Sequence, residues 1–283
     1  MITINGLSKR FRRTEVLRGV ELKINRGERI ALIGANGAGK TTLIRCLLGE
    51  YTHDGSISVV GMNPRLEREQ VLAHVGFVPQ LPPPLKMPVS QLMRFAADLC
   101  GSDVDSMRTV AARLGLDTDR IARQPFVKLS GGQKQKLLIS VALGRNADLL
   151  ILDEPAANLD PEARHNLFQL LAERQEHAVM LISSHRLDEV AALVNRVVEM
   201  DQGTITLDDR VADAVDMASA LQCEIRLSRD EPAFAKAIAD WGFVADGLSW
   251  QGRVAAPDRL RFLGILSRYA GILSAIEMRE NAQ

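Results

Sequence analysis

An α/β fold built around a largely parallel sheet is predicted by three features of this 283-residue sequence. Short apolar strand patterns alternate with stretches of helical periodicity over roughly the first 210 residues. A glycine-rich loop, Gly34-Ala35-Asn36-Gly37-Ala38-Gly39-Lys40-Thr41, stands between one such strand and one such helix. A second apolar strand pattern, 149–152, ends in two acids, Asp153 and Glu154.

The first thirty or so residues alternate short β-like runs with turns, including Glu15-Val16-Leu17 and Val20-Glu21-Leu22-Lys23-Ile24. Arg29-Ile30-Ala31-Leu32-Ile33 is a continuous apolar strand that ends at Gly34. Leu43, Ile44, Leu47 and Leu48 recur at helical spacing, so a helix begins near Gly39. Two more strands are expected at 56–60 and 75–79, around the turn Gly61-Met62-Asn63-Pro64. From about 88 to 122 the pattern is helical, with Leu92, Phe95, Ala96 and Leu99 on one face. A helix over about 131–145 precedes the 149–152 strand; 161–175 is helical, and 178–183 and 196–200 are strands. The insert at about 81–135 is helix-rich and expected to form a lobe of its own.

After about residue 215 the character changes. Residues 223–227 read as a strand and 231–241 as a helix carrying Phe234, Ala237 and Ile238. Two strands, 243–245 and 248–255, join at Asp246-Gly247. A helix over 258–269 with Leu260, Leu263 and Leu266 on one side and a strand over 272–278 follow. That βαββαβ order is a split-βαβ arrangement. The expected organisation is one domain over 1–214 and a small α+β domain over 215–283.

Composition narrows the partners. Hydrophobic residues make up 46% and charged residues 25%, enough core material to dispense with staples. Lysine plus arginine equals aspartate plus glutamate at 35 each, which argues against nucleic acid as a partner. Cys46, Cys100 and Cys223 show no CxxC spacing and read as reduced, buried thiols. No run approaches the roughly 18–20 apolar residues of a membrane span. The start, Met1-Ile2-Thr3-Ile4-Asn5, lacks the apolar region of a secretory signal. The chain is therefore expected to stay in the cytoplasm and outside the bilayer.

The loop at 34–41 fits GxxxxGK[ST] in its required context, after a strand and before a helix. Its glycines let successive N–H groups turn toward phosphate oxygens, and the helix N-terminus adds partial positive charge. Lys40 supplies an ammonium for β- and γ-phosphates, the Thr41 hydroxyl can ligate Mg²⁺, and Thr42 can reach the α-phosphate. This loop binds a nucleoside triphosphate. At the end of the 149–152 strand, Asp153 would hold Mg²⁺ through water, and Glu154 would orient and deprotonate an attacking water.

Between these motifs stands Leu129-Ser130-Gly131-Gly132-Gln133, followed by a helix beginning Lys134-Gln135. It resembles the signature sequence of ABC-type ATPases, and the family's other motifs follow in order. Gln80 matches the glutamine loop, Leu159-Asp160 the D-loop, and His185 the switch histidine. The resemblance covers about residues 1–210 and implies a P-loop ABC ATPase with a helical signature lobe. It implies ATP and Mg²⁺ as ligands, with two copies joined head to tail. Ser130, Gly131, Gly132 and Gln133 would meet the γ-phosphate held by the partner's loop, with Asp160 beside them. Gln80 would sense Mg²⁺ and the attacking water, and His185 would hydrogen-bond the γ-phosphate. Phe11 matches the ring that stacks on adenine, where tyrosine is commoner. The neighbouring Lys9, Arg10, Arg12 and Arg13 read as a solvated face, with phosphate or lipid contact as the alternative. Asn158 departs from the glycine or alanine usual before Leu-Asp, which bears on the D-loop's geometry.

The segment after about 215 resembles the small C-terminal domain of ATPases serving ABC-2 type exporters, without their acidic-aromatic extension. The resemblance implies a transport ATPase at the cytoplasmic face of the inner membrane, touching it only through a separate transmembrane permease. Export is the implied direction, with drugs or lipids as cargo, or a sulfur- or metal-related species for periplasmic enzyme maturation.

Overall fold

The computed structural model describes residues 1–174, 178–185, 187–210, 220–239, 241–255, 262, 266 and 269–280. It comprises two compact units, Met1–Val211 and Ala212–Gln283.

In the first unit a small antiparallel sheet has β1 (Ile2–Phe11) between β2 (Thr14–Ile24) and β4 (Asp54–Val59). The runs expected at 15–17 and 20–24 form one strand. The pairing with β1 shifts register between Leu7↔Val20 and Lys9↔Leu17, so the strand passes through Arg18-Gly19 without ending. Strand alternation sends Ile2, Ile4, Leu17, Leu22, Ile57 and Val59 into the core.

The main sheet runs in the order β5-β6-β7-β3-β8-β9. Its parallel strands are β3 (Arg29–Ile33), β5 (Val75–Val78), β6 (Leu149–Asp153), β7 (Val179–Ser184) and β8 (Arg196–Asp201). The sixth, β9 (Thr204–Arg210), pairs antiparallel to β8. Strands covered on both faces need apolar residues at every position, which is why 149–152 and 179–182 read as unbroken runs. The edge strand β9 escaped the sequence reading because it is mostly exposed and polar. Flanking helices are α1 (Lys40–Leu47), α2 (Arg68–Ala73), α6 (Pro161–Ala172) and α7 (Leu187–Val190). At six residues, α2 is too short to show a periodicity.

The lobe contains α3 (Val89–Cys100), α4 (Val104–Arg113) and α5 (Gly131–Leu143) around Met93, Met107, Phe126 and Leu137. One expectation is corrected here. Ala96 is buried and Leu92 packs on the lobe core as expected, but Phe95 and Leu99 are 54% and 68% exposed, and Val89, Met93 and Ala97 turn inward in their place. The buried stripe is thus rotated from the expected one and overlaps it in part.

At the β9 edge, Arg196 is 7% exposed and donates to both Asp208 oxygens at 2.7 Å and to Glu28 Oε2 at 2.7 Å. Arg210 reaches the other Glu28 oxygen at 2.7 Å. Glu28 loses hydration on burial, yet the Asn25 N–H and the Arg196 charge bring its carboxyl below the ordinary value. The Arg196 hydrogen bonds lower Asp208 likewise.

The second unit holds β10 (Ala220–Leu227), α8 (Pro232–Ala239), β11 (Val244–Asp246), β12 (Ser249–Ala255) and β13 (Leu273–Glu280). Its antiparallel order is β11-β12-β10-β13, the strand order of a split βαβ unit. Cys223, Ile225, Phe234, Ile238 and Val254 form its core. Of the helix expected over 258–269, only 262, 266 and 269 are described, and Phe262 and Leu266 are buried; Leu260 and Leu263 lie outside the described residues. Cys46 and Cys223 are buried as expected and Cys100 is only partly so, and burial pushes the Cys46 thiol up to about 11, an unreactive state.

Candidate functional site

Adjacent parallel strands β6, β7 and β3 deliver their carboxyl ends to one edge of the sheet. That edge is where open α/β sheets bind ligands. The loop after β3 leads into α1 through Gly39, whose φ of 109° is disfavoured for a side chain. A Cβ there would also sit 2.9 Å from the Leu17 side chain. Asn36, Gly37, Ala38, Gly39, Lys40, Thr41 and Thr42 line a cleft of about 240 Å³ with Val16, Gln80 and Glu154. Gln80, just past β5, and Glu154, just past β6, thus face the same cleft as the phosphate loop.

Inside the cleft the polar groups hold one another. The Lys40 ammonium donates to the Gly34 carbonyl at 2.6 Å and the Ala35 carbonyl at 3.2 Å, curling back over its own loop. The Thr41 hydroxyl donates to Asp153 Oδ2 at 2.9 Å. The other Asp153 oxygen accepts from the Ser183 hydroxyl at 2.5 Å, and the Ser183 oxygen accepts the Glu154 N–H at 3.0 Å. Ser183 is fully buried and was not singled out from sequence. Its signal is two serines, Ser183-Ser184, closing an otherwise apolar strand just before His185. Glu154 has φ 50°, left-handed for a non-glycine residue, and its carboxylate faces His185. The two side chains meet at 3.0 Å, from His185 Nδ1 to Glu154 Oε2.

A hydroxyl, a carboxylate and an amide gathered at one cleft form a hard oxygen set. Thr41, Asp153 and Gln80 therefore suit Mg²⁺, which takes oxygen ligands and keeps several waters.

Ser130, Gly132, Gln133 and Asp160 line a different cleft of about 490 Å³, with Lys136 and Arg120. Ser130 caps α5 by accepting the Gln133 N–H at 3.2 Å, while Gln133 Oε1 accepts the Ser130 N–H at 3.0 Å. Asp160 caps α6 through the Ala163 N–H at 2.8 Å and pairs with Lys136 at 2.8 Å. Hydrogen bonding from Lys136 lowers the Asp160 carboxyl below its ordinary value. Asn158 has φ 63°, a left-handed conformation that asparagine tolerates well. Signature and D-loop are closely packed: a Cβ on Gly132 would lie 3.1 Å from the Asn158 carbonyl oxygen, and Gly131 also faces the Asn158 side chain.

Phe11 closes β1 and is 39% exposed. One sequence expectation fails beside it. Lys9 is no part of a solvated face: it is 9% exposed, with its ammonium 4.7 Å from the Phe11 ring centroid. The hydroxyl of Thr52, brought near by β4 pairing, accepts from it at 3.1 Å.

Comparison with known proteins concerns the family and the fold. Residues 17–157 match the family model described as ABC transporter. The aliphatic sulfonates import ATP-binding protein SsuB of Mycobacterium sp. (strain MCS) is 35% identical over 75% of this chain and 84% of its own length. The macrolide export ATP-binding/permease protein MacB of Shewanella oneidensis is 30% identical over 95% of this chain and 42% of its own length. Among solved structures, the dimeric post-hydrolysis state of the ATP-binding cassette MJ0796 bound to ADP and Pi superposes with a TM-score of 0.66. That match covers 75% of this chain and 99% of the other at 20% identity, a likeness of fold.

Proposed function

The chain belongs to the ABC transporter family of ATP-binding subunits, whose ATP hydrolysis is coupled to transport, and on that premise we propose that two copies join head to tail around two ATP molecules and drive a separate transmembrane permease. The supporting observation is the separation of the two half-sites. The cleft lined by the phosphate loop contains no signature residue, and the cleft lined by Ser130 and Gly132 contains no phosphate-loop residue. A γ-phosphate on Lys40 of one copy would meet Ser130 and Gly132 of the other, at the N-terminus of its α5.

Bound Mg²⁺ would neutralise phosphate charge from Thr41, Asp153 and Gln80. The Lys40 ammonium would exchange its two backbone carbonyls for phosphate oxygens. Glu154 would orient the attacking water and take its proton, and His185 would turn from Glu154 to the γ-phosphate. Mixing Lys40→Ala with Ser130→Arg subunits tests the shared site. Mixtures should recover ATPase activity that neither variant has alone; no recovery, together with a Glu154→Gln protein that stays monomeric in ATP, would refute head-to-tail sharing.

We further propose export as the direction, supported by the small C-terminal unit and by the long match to MacB. Import is the second reading, favoured by the likeness to SsuB. Drugs or lipids are the first cargo class, and a sulfur- or metal-related species for periplasmic enzyme maturation the second. Co-purifying the permease and following transport in inverted vesicles decides direction and cargo. The place of work would be the cytoplasmic membrane face, peripheral and permease-bound; no helix among the described residues is long and apolar enough to cross a membrane.

Residues 81–87, after Gln80, would dock that permease. Leu81 is 74% exposed, whereas Met87 is tied to the lobe through the Phe126 N–H, so a crosslinking cysteine belongs at Leu81. The second unit would brace the dimer or regulate it without chemistry of its own. A chain truncated after Arg210 that stays soluble with altered basal ATPase activity or weaker dimerisation supports this; loss of nucleotide binding in a folded protein would refute it.

A further inference from the structure

A buried lysine in an aromatic setting needs an explanation. Lys9 and Phe11 are two residues apart in β1, so they share a face of the strand. The Lys9 ammonium lies over the Phe11 ring at 4.7 Å from its centroid and 5.6 Å from that of Tyr51. Tyr51 meets Phe11 edge to face, with centroids 5.1 Å apart and planes at 83°. The Tyr51 hydroxyl accepts from Arg45 Nη1 at 3.0 Å, and Arg45 belongs to α1, the helix that opens at Lys40.

Burying an ammonium with one hydrogen bond, to Thr52, is costly unless other groups replace its water. Here the π faces of two rings do so. Phe11 nevertheless keeps 39% exposure, so the cluster holds a ring that is backed by a cation and partly open to solvent.

We propose that Lys9 and Tyr51 are positioning residues for the nucleobase, a role that rests on the reading of Phe11 as the adenine-stacking ring. The ammonium behind Phe11 draws π-electron density toward itself and leaves the open side of the ring electron-poor. An electron-rich purine stacks better on such a surface. Tyr51, pinned by Arg45, limits rotation of the Phe11 ring and ties its position to the helix that carries the phosphates. The base and phosphate subsites are thereby held at a fixed separation through α1.

The experiment compares the affinities of the full-length protein for ATP and for inorganic tripolyphosphate, which has the phosphates but no base. Lys9→Met should weaken ATP binding about two- to fivefold, the worth of one cation–π contact, and leave tripolyphosphate unchanged. Lys9→Arg should restore ATP affinity, since it retains the cation. Tyr51→Leu should show the same selective loss, and Tyr51→Phe, which keeps the ring, should not. Phe11→Ala is the reference. If it lowers ATP affinity selectively while Lys9→Met and Tyr51→Leu do not, stacking stands and the backing role is overturned. Equal losses for ATP and tripolyphosphate in Lys9→Met would also overturn it, by showing a general distortion. If Phe11→Ala itself leaves ATP affinity intact, the stacking reading fails and takes this inference with it.

Discussion

The two clefts of the first unit hold their polar groups in opposite ways. In the phosphate cleft, Lys40 rests on its own loop carbonyls and Thr41 on Asp153, contacts that a ligand with phosphate oxygens and a metal would replace. In the signature cleft, Ser130 and Gln133 satisfy each other, and Asp160 is divided between Ala163 and Lys136. On the proposed reading the first would exchange partners during a reaction. The second would keep its shape, since Ser130 and Gln133 already satisfy each other.

The strongest way to break this division is at Glu154. Glu154→Gln should keep ATP binding and cut turnover by about 10²–10⁴, the usual worth of a positioned base. An ATPase assay beside a binding titration measures it, and near-normal turnover would remove Glu154 as the base. Lys40→Ala should instead weaken binding and turnover together.

On the rigid side the effects should be smaller and should leave binding to the isolated subunit intact. Gly132→Ala places a methyl 3.1 Å from the Asn158 carbonyl, so signature and D-loop must separate by a few tenths of an ångström. Turnover should fall about tenfold, less than the roughly 10²–10³ that outright loss of a transition-state donor costs. ATP affinity of the monomer should not change. A matching loss of that affinity would mean that the two clefts are not independent.

Lys136→Met sharpens the comparison further. It removes the Asp160 ion pair and leaves the α6 cap in place, so turnover should drop only about twofold to fivefold, as befits a pair whose carboxylate is open to water. Asp160→Asn, which keeps a capping oxygen, should match it in a steady-state assay.

The least effect on activity comes from the ionic cluster at the β9 edge, outside both clefts. Glu28 and Asp208 have lowered carboxyl pKa values, from 4.5 and 3.8 when unperturbed. Protons therefore bind the unfolded chain more readily, and the cluster's stabilisation is complete above 4.5 and lost as pH falls through the lowered values. Thermal melts of the protein and of an Arg196→Met variant should differ most near neutral pH and converge on acidification. A difference that grows toward low pH would refute the sign.

Much of the reactive site was legible because its parts are local. A phosphate loop is eight consecutive residues whose glycines and lysine act through their own backbone, and an acidic strand end is two residues after an apolar run. The order of the motifs added the family and, with it, the proposal of two half-sites. What stayed hidden depends on neighbours far along the chain. Ser183 acts on Asp153 from 30 positions away, and Lys9 meets Thr52 across 43. Charge alone made Lys9 look solvated, whereas strand pairing enclosed it.

By itself, then, the sequence determined the α/β class, the phosphate loop, the paired acids and the change of pattern after about 215. Those features follow from periodicity and from backbone chemistry within a few residues. Only the tertiary structure decided which stripe of α3 is buried, what holds Asp153, how Asp160 is spent, and that a cation stands behind Phe11. Each of these is set by desolvation and contact between segments distant in sequence, and a one-dimensional pattern carries no measure of that proximity.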